Sequence, residues 1–180
     1  AFAQSVNTIA VKLGQDTGID IVVDIAHKMG VESKLEATPS LALGSSDVNL
    51  LELVDAYCTA MNDGKQRKPI LVTKILDRNG EVIYDCERDE PEAKAVIRYK
   101  TAFYLQRLLY GGMHEPGGTT QARWEYIHCY DTELGGKTGT SSNHSDAWFV
   151  GCAPNLVGGA WIGGEYRCIS ADLYSHIQDG

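Results

Sequence analysis

Apolar side chains recur at helical spacing through the first part of the chain. Val6, Ile9, Ala10 and Leu13 form one stripe, and Ile19, Val22, Val23, Ile25, Ala26 and Met29 form a second. Steps of three and four put such residues on one helix face. The pattern predicts an amphipathic helix already under way between Ala1 and Leu13 and closed by Gly18, then another ended by Gly30. Thr38 to Gly44, with Pro39 inside it, reads as a loop. Ser46 and Asp47 offer N-caps to a third helix, with Leu50, Leu51, Leu53, Val54, Tyr57 and Ala60 inside and Asn62-Asp63-Gly64 as its stop. Beyond Pro69 the texture changes. Ile70 to Leu76, Asp77-Arg78-Asn79-Gly80 and Glu81 to Tyr84 read as a hairpin, because Asn-Gly suits a tight turn. Asp85 to Glu92 is an acidic connector, read as a solvated charge run rather than a metal or acid/base cluster. Val96, Tyr99, Ala102, Phe103, Gln106 and Leu109 mark a fourth helix ending at Gly111-Gly112, before a Gly-rich loop from Glu115 to Thr120. Three short runs follow: Gly135 to Ser141, Ala147 to Ala153 and Leu156 to Gly163. Their short connections imply antiparallel neighbours. The expected class is α+β, with helices gathered in the first half and packed on a closing antiparallel sheet.

Composition narrows the function classes. With 180 residues and 43% hydrophobic, the chain suits one domain, or most of one, with a real core. Sixteen Lys and Arg against 24 Asp and Glu give a net charge of −8. Coating nucleic acid needs clustered cations to neutralise phosphate, so nucleic acid is not an expected partner. No window approaches the ~18 uninterrupted apolar residues of a spanning helix, and no signal peptide opens the chain. Ala1 stands inside a helical pattern, so the expectation is a segment of something longer. The cysteines 58, 86, 129, 152 and 168 are separated by 28, 43, 23 and 16 positions. No C-x-x-C occurs, and His128 merely abuts Cys129. The spacing argues against a disulfide framework and a structural metal. Free thiols, or one long-range bridge, remain the two readings; no metal or cofactor is expected.

The most distinctive stretch is Gly135-Gly136-Lys137-Thr138-Gly139-Thr140. A phosphate loop would need Gly at position 131, which is Asp131, and would have to lead into a helix. Here Ser141, Ser142 and Asn143 lead into a strand, so that reading fails twice. The alternative is the K-T-G strand of serine enzymes that recognise penicillins. In that reading Lys137 offers a fixed charge to a cleft, and Thr138 and Thr140 offer hydroxyls to a carboxylate. Gly139 removes a side chain that would keep a substrate backbone from lying alongside. Ser5-Val6-Asn7 has two readings: an N-cap serine, or an S-x-N in which Ser5 relays a proton and the Asn7 amide binds a substrate carbonyl. The second has meaning only if Lys137 lies across the same cleft. Asn143-His144-Ser145 matches a glycosylation acceptor but carries no weight in this setting.

Ala3 to Ala10, Pro39 to Gly44, Gly136 to Thr140, Asp146 to Gly151 and Trp161 to Glu165 follow one another in the order of a known family. Together they resemble the transpeptidase domain of class A penicillin-binding proteins, over essentially the whole chain. Gly117-Gly118-Thr119 is similar to the loop before that family's final strands. The resemblance implies the β-lactamase/DD-transpeptidase-like fold and a D-Ala-D-Ala transpeptidase that cross-links peptidoglycan stem peptides through a serine acyl-enzyme. It also implies β-lactam antibiotics as ligands and a place on the extracytoplasmic (periplasmic) face of the membrane, reached only through an N-terminal anchor outside this sequence. Ser5, Asn7 and Lys137 take the catalytic roles by that resemblance, and Thr138, Gly139 and Thr140 the substrate-binding ones. The Thr140 N–H would be half of an oxyanion hole.

One departure is large. The family's nucleophile sits in S-x-x-K, upstream of S-x-N, and no Ser or Thr here is followed by Lys three positions on. Residues 1–180 are therefore expected to be a partial domain, with the first strands outside it and the closing helix only begun at Ser170 to Gly180. Taken alone, the chain should not form an acyl-enzyme. A pseudoenzyme or scaffold, a serine β-lactamase and a penicillin sensor domain are the competing readings. A class A β-lactamase would require a Glu that activates water, and Glu52 falls inside a helical pattern instead.

Overall fold

The structure is a computed structural model that describes residues 1–121, 133–164 and 166. His128, Cys129, Glu165, Cys168 and the stretch 170–180 discussed above lie outside the described residues. Helix α1 spans Asn7–Thr17 and α2 spans Ile19–Lys28. Gly18 between them has φ 97°, a value costly for any residue with a Cβ, and its N–H caps α1 through Gly14 O and Gln15 O. The first helix begins later than its apolar stripe suggests. Ser5 has φ 54°, and its N–H bonds Phe2 O at 3.0 Å in a turn. A left-handed residue cannot continue a right-handed helix. Ser5 is also not an N-cap: that position is Val6, with no side-chain acceptor.

Pro39–Leu43, read as loop, is a short 3-10 helix packed near α1. Helix α3 spans Leu50–Met61, and Asn49, rather than Ser46 or Asp47, caps it by accepting from Glu52 N at 2.9 Å. Asn49 and Glu52 reproduce the three-residue spacing of a capping box. A pair of two-residue strands, β1 (Lys65–Gln66) and β4 (Lys94–Ala95), left no signal in the sequence. The hairpin is β2 (Lys74–Leu76) with β3 (Val82–Asp85), joined where Asp77 accepts from Asn79 N and Glu81 N. Residues 70–73 stay outside it, with Leu71 85% exposed. The acidic connector holds a one-turn helix, α4 (Cys86–Asp89), and ion pairs of Asp85 with Lys74 and Asp89 with Arg88 whose basic partners are exposed. Among the described residues no three metal-binding side chains come together.

Helix α5, Tyr99–His114, runs straight through the Gly111-Gly112 expected to end it. Packing explains this. A Cβ on Gly112 would meet Gly136 O at 2.8 Å, and one on Gly135 would meet the Leu109 backbone at 2.8 Å. These glycines let α5 and strand β5 touch backbone to backbone. The main sheet runs β5 (Gly135–Thr140), β6 (Asp146–Ala153), β7 (Leu156–Gly163), all antiparallel. Lys137 pairs with Val150, which pairs with Gly159, and α3 lays Leu50 and Val54 over Gly159. Leu109, Met113, Ala60, Ala102, Val150 and Cys152 form the buried centre between helices and sheet. Burying a side chain the size of Leu109 contributes about 1.5–3 kcal/mol. Among the described residues, no helix is long and apolar enough to cross a membrane.

Candidate active site

Three segments far apart in sequence meet at strand β5. The first is the turn carrying Ser5, the second the loop 115–121 after α5, and the third β5 itself. Among the described residues β5 is an edge strand, hydrogen-bonded to β6 on one side only. The Lys137 ammonium donates to Ser5 Oγ at 2.8 Å and to Thr138 O at 2.9 Å, across 132 positions in the first case. Lys137 is half-buried, and loss of water around the charge pushes its pKa below the usual lysine value of 10.5. Ser5 itself is exposed and sits on a left-handed backbone.

The loop closes the arrangement. Thr119 N–H donates to Ala3 O at 2.9 Å, and Gln4 Nε2 donates to Pro116 O at 3.4 Å. The Thr138 hydroxyl donates to Thr119 Oγ1 at 2.9 Å. Thr120, beside Thr119 in sequence, turns the other way: it is fully buried and donates to Gly112 O at 2.6 Å. The loop is thus fastened to the α5 terminus while Thr119 bonds both the Ser5 turn and strand β5.

Of the six residues singled out from sequence, Ser5 and Lys137 come together through their side chains, while Thr138, next along β5, gives its carbonyl O to Lys137 and its hydroxyl to Thr119. Asn7 begins α1 two residues beyond Ser5, with its side chain exposed. Thr140 ends β5 and is exposed. For Gly139 the structure adds an in-sheet reason: a Cβ there would come within 3.2 Å of Trp148 Cβ, its cross-strand partner. Thr119 and Gln4 were not among the six. The Gly-rich loop was visible in the sequence, but nothing in its spacing says which of two adjacent threonines meets Thr138. Beyond β5 the chain turns through Ser141 to Ser145 into β6 and not into a helix, unlike a phosphate loop. Glu52 is engaged elsewhere. It accepts from the N–H groups of Glu32 and Ser33 at 3.1 and 2.8 Å and from Asn49 Nδ2, and the bonds from Ser33 chiefly lower its pKa. Such a carboxylate is a poor base for activating water.

A family model described as the penicillin binding protein transpeptidase domain matches residues 1–162. Penicillin-binding protein 1A of Aquifex aeolicus is 36% identical over 167 residues, covering 93% of this chain and 22% of that protein. Penicillin-binding protein 2D of Bacillus subtilis is 32% identical over 165 residues, covering 91% of this chain and 23% of that protein. The crystal structure of penicillin-binding protein 1A from Haemophilus influenzae superimposes with a TM-score of 0.80 at 25% identity, covering 94% of this chain and 30% of that one. The chain therefore spans less than a quarter of the length of those two curated relatives. With its helices packed on the β5–β7 sheet and its match to the family over most of its length, the chain belongs to the penicillin-binding protein transpeptidase domain family.

Proposed function

We propose that these residues form one wall of a D-Ala-D-Ala transpeptidase site that cross-links peptidoglycan stem peptides. The observation that carries the reading is the 2.8 Å contact between Lys137 Nζ and Ser5 Oγ. A hydroxyl held between amines can pass a proton toward or away from a leaving group. The attacking serine and its lysine base, the S-x-x-K pair, would come from sequence outside residues 1–180. That serine adds to the penultimate D-Ala carbonyl; collapse of the tetrahedral intermediate breaks the peptide bond and releases terminal D-Ala, which leaves with a proton. An amine of a neighbouring stem peptide then takes the acyl group. Lys137, Thr138 and Thr140 hold the substrate's terminal carboxylate along β5, and Asn7 binds a substrate carbonyl. Gly139 keeps the strand narrow there, and the Thr140 N–H faces the developing oxyanion. β-Lactams would enter as acylating mimics of the same substrate, on the extracytoplasmic face of a bacterial membrane. The engagement of Glu52 counts against a class A β-lactamase.

The test is labelling with a fluorescent penicillin, followed by proteolysis and mass spectrometry. The full-length protein should carry one acyl group on a serine outside residues 1–180, and the 180-residue chain should carry none. An acyl group mapped to a serine within the chain, or a full-length protein that is never acylated, would sink the proposal.

A further inference from the structure

The Gly-rich loop is built to present one hydroxyl. Three contacts fix its backbone: Gly117 N–H donates to Gln121 Oε1 at 3.0 Å, Gly118 N–H donates to Glu115 O at 3.0 Å, and the buried Thr120 hydroxyl reaches Gly112 O. A Cβ on Gly118 would lie 2.3 Å from Gly112 O, so the loop can rest on α5 only with glycine there. On that base Thr119 has two separate attachments. Its N–H holds the Ser5 turn through Ala3 O, and its Oγ1 accepts the Thr138 hydroxyl.

We infer that Thr119 is a positioning residue for carboxylate recognition: its hydroxyl holds the Thr138 side chain in place before a ligand carboxylate arrives, and when the single Thr138 proton turns to that carboxylate the Thr119 hydroxyl donates in its turn to Thr138 Oγ1, so the pair stays bonded. The inference rests on the site reading above and deepens it. A threonine hydroxyl on a half-exposed strand has several rotamers open to it. Binding a carboxylate in only one of them loses affinity to side-chain ordering, and a partner that selects the rotamer beforehand removes that loss. The hydroxyl of Thr119 and its backbone N–H serve different segments, so the two contributions can be separated by mutation.

The experiment uses the full-length protein and saturation kinetics with a chromogenic penicillin, separating the dissociation constant of the reversible complex from the acylation rate constant. Thr119→Val keeps the shape and the N–H but removes the hydroxyl. It should raise the dissociation constant about tenfold, the scale of one hydrogen bond, with the acylation rate constant within about twofold. Thr119→Ser, which restores the hydroxyl, should return both to near the parent. In a Thr138→Val background, Thr119→Val should add less than about twofold, because the hydroxyl it orients is gone. Parent-like binding by Thr119→Val, no rescue by Ser, or full additivity with Thr138→Val would each overturn the inference. Lys137→Ala, run alongside, separates the failures. If it loses acylation while Thr119→Val binds normally, only the role of Thr119 is wrong; if it acylates like the parent, the site reading falls and this inference with it.

Discussion

Lys137→Met is the substitution that separates a functional lysine from a structural one, because acylation should fall while stability does not. Methionine roughly follows the lysine stem but ends in an uncharged methyl group, so the contacts to Ser5 Oγ and Thr138 O, at 2.8 and 2.9 Å, are both lost. If Lys137 holds a carboxylate and a proton relay as proposed, a half-buried charged donor of that kind is worth about 3 kcal/mol, or roughly a hundredfold in acylation rate. Stability should move the other way or not at all. Burial lowers the Lys137 pKa from 10.5, so folding disfavours the charged form. At neutral pH lysine is protonated in both states, and the folded protein bears that penalty in full. As pH rises through the lowered folded value toward 10.5, the unfolded chain binds more protons than the native one, and the penalty fades. The Met variant should therefore be at least as stable as the parent near neutrality, with its advantage shrinking at alkaline pH. Urea denaturation of the full-length protein at pH 7 and near pH 10, beside second-order acylation rates, measures both. A variant that loses stability and acylation in parallel would show Lys137 to be a strand residue that happens to lie near Ser5.

Two further substitutions test the framework under the site. Gly112→Ala should destabilise by about 1–3 kcal/mol, seen as a lower urea midpoint, because its Cβ would stand 2.8 Å from Gly136 O and push α5 off β5; an unchanged midpoint would mean that the contact relaxes freely. Glu52→Ala should cost about 1 kcal/mol through the N–H groups of Glu32 and Ser33 left to water. Since the folded pKa of Glu52 lies below 4.5, its stabilisation should be complete well above that pH and vanish as the pH falls through the folded value. A parent–variant difference that persists at the acid end would refute the assignment.

Much of the chain was legible where the determinants are local. The strands β5, β6 and β7 fell within a residue of their expected bounds, because short runs between turn residues leave little freedom of register. The Asn-Gly hairpin and the break at Gly18 were likewise read from single positions whose backbone demands are strong. The K-T-G-T strand and the S-x-N segment were recognisable as patterns of residue types, and with three further stretches in order they carried the resemblance to the family whose model matches residues 1–162. Three features belong to the tertiary structure. Gly112 looked like a helix stop until β5 lay against it and made glycine a packing requirement inside α5. Ser5 had two readings in the sequence, a cap on an apolar stripe or an S-x-N partner of Lys137, and only the tertiary structure chose between them: its left-handed turn places Oγ 2.8 Å from Lys137 Nζ, 132 positions away. Thr119 and Thr120 are chemically identical and adjacent, yet one is buried against Gly112 and the other faces Thr138. Propensity and periodicity speak for neighbours along the chain. Contacts between a turn, a loop and an edge strand depend on how helices and sheet pack, and that information is spread over the whole sequence rather than held at any one position.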